Sequence, residues 1–196
     1  MNHTHHRAVR RTLPAAVAAG ALGIALAAGS AAGQAVPPDP ATIVMKLDGK
    51  NLRFTGPKQV AEGQELRIRN GTAAKRVGPH TFTLSTPRAL PKTKRAIKRC
   101  FTRGRICMTA AIAHKFNPKT GKVARPLVKA GLDGWDKSFT RSAKSKGDTW
   151  YTEKKGETFS QVVSATAGTT LSYLCVVHPE MQGKIDVVQG AATPTP

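Results

Sequence analysis

The chain has 196 residues and a formal net charge of +20, with 40% hydrophobic but only 5% aromatic residues. Its length suits one domain with additional segments, and any core must consist mainly of aliphatic side chains. This composition supports a small β-sandwich and argues against two large domains.

The first 35 residues predict a signal peptide. A basic start precedes an apolar, alanine-rich run over residues 13–28, and small residues follow, so we expect cleavage after Ala32 or Ala35. A retained membrane anchor is the alternative, but the run is short for a span of about 20 residues. Arg10 and Arg11 leave twin-arginine export open beside the general route. We therefore expect an exported protein, whether periplasmic, extracellular or associated with the cell envelope.

Residues 41–86 predict a series of short strands. Ile43, Met45 and Leu47 alternate with less apolar residues, and Leu66 and Ile68 alternate with arginines. Such period-2 alternation gives each strand one buried and one wet face. Several short strands at this spacing predict an all-β sandwich or barrel.

Residues 87–150 break this alternation and carry most of the charge. From Arg88 through Asp148 there are 17 lysines and arginines against three aspartates, a net +14. We expect short helices over 92–99 and 107–116, and anchoring by Trp135 and Trp150. The charge suits either a solvated surface or a docking surface for an acidic protein, an anionic envelope polymer or a membrane surface. Nucleic acid is disfavoured, because basic and aromatic residues do not interleave.

The three cysteines divide into a pair and a single thiol. Cys100 and Cys107 bracket a six-residue loop, and export would favour a disulfide between them. Cys175 is left as the odd cysteine, which is either an inert core residue or a reactive or metal-binding one.

A group of metal-binding residue types decides between these roles for Cys175. Cys175, His178 and Met181 lie within seven residues between two strand-like runs, with Pro179 favouring a tight loop. A thiolate, imidazoles and a weak thioether are the donors of a trigonal copper site. His80 is the candidate for a second imidazole. It shares the apolar face of a predicted strand with Phe82 and Leu84, while Thr81 lies on the other face. His114 has no evident partner in the sequence, and we expect it at the surface.

At these residues the chain resembles the cupredoxins, the type 1 blue-copper proteins, in their plastocyanin- and amicyanin-like forms. The match is a histidine opening an alternating strand, then C-x-x-H-x-x-M and a closing strand. The resemblance implies a Greek-key cupredoxin-like β-sandwich over residues 41–190, with residues 87–150 as an inserted loop and short-helix segment. Residues 191–196 would form a flexible tail.

The resemblance also implies a function and a ligand set. One type 1 copper ion would be held by His80, Cys175 and His178, with Met181 on the axis. Many relatives have Asn at the position of Thr81, so its supporting role is in question, and Pro179 lacks an N–H that could reach the sulfur. The implied protein is a monomeric, non-enzymatic carrier of single electrons with a redox partner. A copper scavenging or delivery protein, and an envelope interaction protein using the basic segment, remain alternatives.

Overall fold

The computed structural model describes residues 38–120, 122–123 and 133–190. The predicted signal peptide and C-terminal tail lie outside the described residues, as do residues 124–132 of the basic segment. In chain order, the elements are β1 (Ala41–Asp48), β2 (Asn51–Thr55), β3 (Gln59–Ala61), β4 (Glu65–Asn70), α1 (Ala74–Val77), β5 (His80–Ser85), α2 (Lys94–Lys98), α3 (Ile106–Ala113), β6 (Phe116–Asn117), β7 (Lys122–Val123), β8 (Thr149–Thr152), β9 (Thr158–Val162), β10 (Thr170–Leu174) and β11 (Gln182–Val188).

Two mixed sheets form the body of the fold. One has the strand order β2-β1-β4-β9 and the other the order β3-β11-β10-β5-β8, while β6 and β7 make a separate two-stranded ribbon. The chain passes between the sheets from β2 to β3, from β3 to β4, from β4 to β5, from β8 to β9 and from β9 to β10. The expectation of an all-β sandwich with a few short helices is confirmed. None of the helices in the described part of the chain has the length and apolar character needed to span a bilayer.

The core lies where the apolar faces of the two sheets meet. Alternation places Ile43 and Met45 of β1 at 0% exposure, as the sequence pattern predicts. On the opposing sheet, the Phe82 ring packs against Tyr173 and Trp135, with ring centroids 4.7 and 5.0 Å apart. A few large rings therefore fill the centre of an otherwise aliphatic core.

The basic segment forms a second, smaller core on the outer face of the β10 sheet. Leu174 and Val176 point away from the main core, because neighbours in an extended chain alternate between faces. They pack in the second core against α3, Phe139 and a disulfide between Cys100 and Cys107. The predicted disulfide is thus present, and the two predicted helices form with slightly shorter bounds.

Trp135 ties the basic segment to the main sandwich. Its ring is fully buried in the main core, and its Nε1–H donates to the Leu66 carbonyl at 3.2 Å. Its backbone N–H donates to the Val162 carbonyl at 2.8 Å. The expected anchoring by Trp135 is confirmed. Trp150, also buried, belongs to strand β8 and pairs with Phe82 across the sheet.

Gly183 generates a test of this packing. It lies opposite Tyr173 in the β10–β11 register, and a Cβ at position 183 would overlap the Tyr173 ring. The ring cannot retreat freely because Phe54 and Phe82 pack against it. We expect Gly183→Ala to lower the free energy of unfolding by about 1–3 kcal/mol, measured by urea denaturation. In a Tyr173→Leu background the same substitution should cost less, and an equal cost in both backgrounds would contradict this explanation.

Candidate metal centre

The loop between β10 and β11 curls back on itself immediately after Cys175. The Cys175 N–H donates to the Met181 carbonyl at 2.9 Å, and the Met181 N–H donates to the His178 carbonyl at 2.8 Å. A straight strand would hold residues 175 and 178 about 10 Å apart. The closed loop instead returns the His178 ring to the cysteine sulfur.

Two imidazoles converge on that sulfur. His178 Nδ1 lies 3.6 Å from Cys175 Sγ, and His80 Nδ1 lies 3.7 Å from it. One donor atom from each residue lies within 4.8 Å of the other two. His80 comes from the start of β5, which is the neighbour of β10 in the sheet. The fold therefore brings together three of the four predicted ligands, from positions 95 residues apart in sequence.

These distances fit a trigonal metal site. Metal–sulfur bonds of about 2.3 Å and metal–nitrogen bonds of about 2.0 Å, in a plane at 120°, separate sulfur from each nitrogen by about 3.7 Å. The observed distances of 3.6 and 3.7 Å agree with that value without movement of the chain. A thiolate with two imidazoles is also the donor set that selects copper at such a site.

Burial differs among the three side chains. Cys175 and His80 are both 0% exposed, whereas His178 is partly exposed. Burial, with a smaller contribution from His178, lowers the pKa of His80 to about 4. Burial also lowers the pKa of His178, opposed by the Glu180 carboxylate and a hydrogen bond to the Val77 backbone. Both rings are therefore neutral near pH 7, as metal ligation requires.

The sulfur lies in a pocket of backbone N–H groups. Burial raises the pKa of the Cys175 thiol, and hydrogen bonds from the backbone of Thr81, His178 and Val177 oppose that rise. The Thr81 N–H lies 3.3 Å from the sulfur. Such donors stabilise the thiolate, which is the form that binds a metal.

Met181 is buried beside this group. Its side chain is 1% exposed and belongs to the same apolar core as Cys175. Its backbone closes the loop, because its carbonyl accepts from the Cys175 N–H and its N–H donates to the His178 carbonyl. A role as the axial ligand remains a proposal, supported by its place in the loop and by its burial.

Thr81 contacts the cysteine loop through its side chain as well as through its backbone. Its Oγ1 accepts the Val176 N–H at 2.7 Å, next to Cys175 in the chain. The same residue thus binds the sulfur through its backbone and the cysteine loop through its side chain.

Thr81 is also the first member of a buried hydrogen-bonded chain. Thr83 Oγ1 donates to Thr81 Oγ1 at 3.0 Å and lies 2.6 Å from Thr149 Oγ1, which lies 2.8 Å from His114 Nε2. Since Thr83 gives its only proton to Thr81, Thr149 must donate to Thr83, and His114 must then donate from Nε2 to Thr149. The chain therefore runs from α3 of the basic segment to the cysteine loop.

The expectation for His114 was wrong. The side chain is 1% exposed rather than at the surface, because its Nε2 lies 2.8 Å from Thr149 Oγ1 and its ring lies against Tyr151. No motif marks this residue in the sequence. The available signal is that the residue directly follows the apolar run Ile106–Ala113.

Pro179 supports the loop through its carbonyl. It is buried, and its carbonyl accepts Gln182 Nε2–H at 2.6 Å. The same amide donates to the Pro91 carbonyl at 2.9 Å. Gln182 thereby links the loop from Cys175 to Met181 to the basic segment, although no sequence motif singles it out.

Comparison with known proteins adds structural neighbours. The sequence matches no protein-family model, and it has no significant match among curated protein sequences. Auracyanin A, a "blue" copper protein from the bacterium Chloroflexus aurantiacus, is similar over 76% of this chain and 98% of its own, at 21% identity and a TM-score of 0.37. Amicyanin from Paracoccus versutus is similar over 78% of this chain and 85% of its own, at 14% identity and a TM-score of 0.34.

A larger protein also shares the similarity. A multi-copper oxidase from Pediococcus acidilactici matches 81% of this chain but only 27% of its own length, at 13% identity and a TM-score of 0.35. Similarity at this level does not establish a shared function, so the assignment depends on this chain's own residues. The resemblance to the cupredoxins is confirmed in two respects, the β-sandwich and the His80–Cys175–His178 group.

Removing the Thr81 hydroxyl tests its role. Thr81→Val keeps the side-chain shape but leaves the buried Val176 N–H and the Thr83 hydroxyl without their acceptor, so we expect a loss of about 1–3 kcal/mol in the free energy of unfolding. Thr81→Ser keeps the oxygen and should lose clearly less. Denaturant unfolding measures both, and amide exchange at Val176 should accelerate only in the valine variant. Equal behaviour of the two variants would show that the hydroxyl contributes nothing.

The protonation of His80 gives a second test, made on the metal-free protein. Its pKa of about 4 lies below the ordinary 6.5, so the unfolded chain binds more protons between those values. Stability should therefore fall as the pH drops from about 6.5 towards 4. An NMR titration of the His80 ring gives the pKa directly. His178→Gln removes only the smaller cause and should leave the pKa well below 6.5, whereas a value near 6.5 in the parent protein would disprove the burial argument.

Proposed function

We propose that this chain is an exported type 1 copper protein that carries single electrons between redox partners. One observation carries the proposal: two neutral imidazole nitrogens lie 3.6 and 3.7 Å from a buried thiol sulfur. These are the sulfur-to-nitrogen distances that a trigonal metal site requires. Cys175, His80 and His178 would hold the ion, and Met181 would sit on the axis as a weak donor. Bound copper supplies a one-electron couple.

The chain's own residues hold the donor atoms in place. His80 belongs to a central strand, and the loop from Cys175 to Met181 is closed by backbone hydrogen bonds at both ends. Thr81 fixes the loop at Val176 and the sulfur at Cys175. Ligands fixed in this way change position little between redox states, which favours rapid electron exchange.

His178 provides the route to a partner. It is the exposed member of the group, since His80 and Cys175 are fully buried. Its ring lies near the turn before β5, because a Cβ added at Gly78 would lie 3.9 Å from both Cε1 and Nε2. Half-buried apolar residues at positions 77, 79 and 177 surround it. A redox partner would dock over this apolar surface.

Burial of the donor atoms favours an electron carrier over a copper delivery protein. Delivery requires that an incoming ligand reach the ion, but the thiol and one imidazole are fully enclosed. Retention of the ion is therefore favoured over its transfer. Three histidines lie in the described part of the chain, and one of them is joined to Thr149. This small number supports a single copper centre over a multicopper enzyme.

Copper titration tests the proposal. Adding Cu(II) to the mature protein should produce one equivalent of bound metal and an intense visible thiolate-to-copper absorption band. Cys175→Ser should abolish the band, because Cys175 is the free cysteine and the others form the disulfide. Rapid electron self-exchange would support the carrier, and slow exchange with ready loss of copper to a chelator would support delivery. Absence of the band in the parent protein would overturn both.

The axial role of Met181 has a matched control. Met181→Leu should preserve the band but raise the reduction potential, because loss of a donor destabilises the more highly charged ion. Met45→Leu alters another fully buried methionine of the same core and should leave the potential unchanged. A potential that is the same in both variants would remove Met181 from the ligand set.

A further inference from the structure

A cavity of about 330 Å³ lies in the basic segment, apart from the metal centre. It is formed by the turn after β5, helix α2, the disulfide loop and residue 141. Five guanidinium-bearing side chains line it: Arg88, Arg95, Arg99, Arg105 and Arg141.

The cationic side chains that line the cavity are arginines and not lysines. Residues 88–148 contain seven arginines and ten lysines, yet five arginines and no lysine are among the described residues that line the cavity. A random choice of five from these seventeen would rarely exclude lysine. Helix α2 and its C-cap residue show the separation directly, because Arg95 and the C-cap Arg99 line the cavity while Lys94 and Lys98 do not. General solvation of a basic surface does not account for such sorting, since lysine solvates a surface equally well.

These arginines have no carboxylate partners within the described residues. The ion pairs seen in that part of the chain involve Arg53, Arg67 and Lys137, none of which lines the cavity. Arg141 is held by donating from Nε to the Arg88 carbonyl at 2.6 Å. Five like charges around one cavity repel each other, and a bound anion would relieve that repulsion.

The cavity is built on a rigid floor. Cys100 and Ile106 are 2% and 3% exposed and belong to the second core. The disulfide closes the loop on which Arg105 lies, and Arg99 directly precedes that loop. The backbone that carries these two arginines is therefore fixed before any ligand arrives, which reduces the entropy lost on binding.

We propose that this cavity is a binding site for a polyvalent oxyanion, a small molecule bearing several phosphate or carboxylate groups. Guanidinium forks match the paired oxygens of both groups. The volume falls at the lower end of the range of small-molecule sites. A monovalent anion would leave most of the five positive charges uncompensated. This site is independent of the proposed copper function.

The test uses the metal-free protein and inorganic pyrophosphate. Calorimetry should show one site, and pyrophosphate should raise the melting temperature more than sodium chloride of equal ionic strength. Arg95→Gln/Arg99→Gln should weaken binding roughly tenfold or more, since each lost charged hydrogen bond is worth about that factor. Lys94→Gln/Lys98→Gln removes the same charge from the same helix and should change affinity less than about threefold. Both double variants keep the disulfide and the second core.

The outcomes separate a built site from a diffuse field. Equal weakening in the two double variants, or no saturable binding, overturns the proposal. Citrate identifies the chemistry: tighter binding of citrate than pyrophosphate indicates carboxylates, and the reverse indicates phosphates, both within the proposed class. Vesicles containing phosphatidic acid test a lipid source, because arginine-dependent vesicle binding that pyrophosphate displaces supports a phosphate headgroup as ligand. Vesicle binding that both variants reduce equally, without pyrophosphate binding, overturns the proposal.

Discussion

The pairing of β5 with β10 is the constraint on which the site depends. Leu174 pairs with Thr83 and Tyr173 with Leu84, so the start of β5 lies beside the end of β10. This register brings His80 to the loop that follows Leu174. A shift by one residue would turn each side chain of β5 to the opposite face and carry the imidazole away from the sulfur. The proposed metal ligands, which are distant in sequence, thus become neighbours through the hydrogen bonds of one strand pair, and the core that fixes the register also fixes the site.

Alternation along the same chain joins the site to the basic segment. Cys175 faces the main core, whereas Leu174 and Val176 face the second core. The cysteine backbone is therefore packed on both sides, and the Thr81–Thr83–Thr149–His114 chain adds polar contacts from the same segment. In a single sandwich, this outer face would meet solvent. Here the basic segment covers it and packs against the backbone beside Cys175.

Alternation predicted the strands over 41–86, and the cysteine spacing predicted the disulfide, because each depends on local sequence. The meeting of His80 with Cys175 was implied by the resemblance to a family, since the two residues lie 95 positions apart. The burial of His114 was not predicted, because it depends on contacts with Thr149 and Tyr151, which lie far along the chain. The role of Thr81 depended on a hydroxyl position that spacing alone cannot give. The arginine cavity was likewise hidden, because Arg95 and Arg141 meet only after the segment folds. The excess of positive charge was evident, but its arrangement was not.

The arrangement of charge explains how a segment of net +14 can pack against the sandwich. Its inward surface consists of neutral groups, including Cys100, Ile106 and the His114 ring, and the lysines and arginines among its described residues are exposed. Among the described aspartates, glutamates, lysines and arginines, only Asp148 is buried. Its carboxylate accepts hydrogen bonds from the backbone N–H groups of Asp136 and Lys137, at 2.8 and 2.7 Å, rather than from a cationic side chain. The segment's acids are therefore not used to neutralise the arginines of the cavity. Repulsion among these arginines persists in the folded protein, and an anion of matching charge would remove it. On the proposed binding site, the excess of positive charge in this segment is that of a site whose anion is not yet bound.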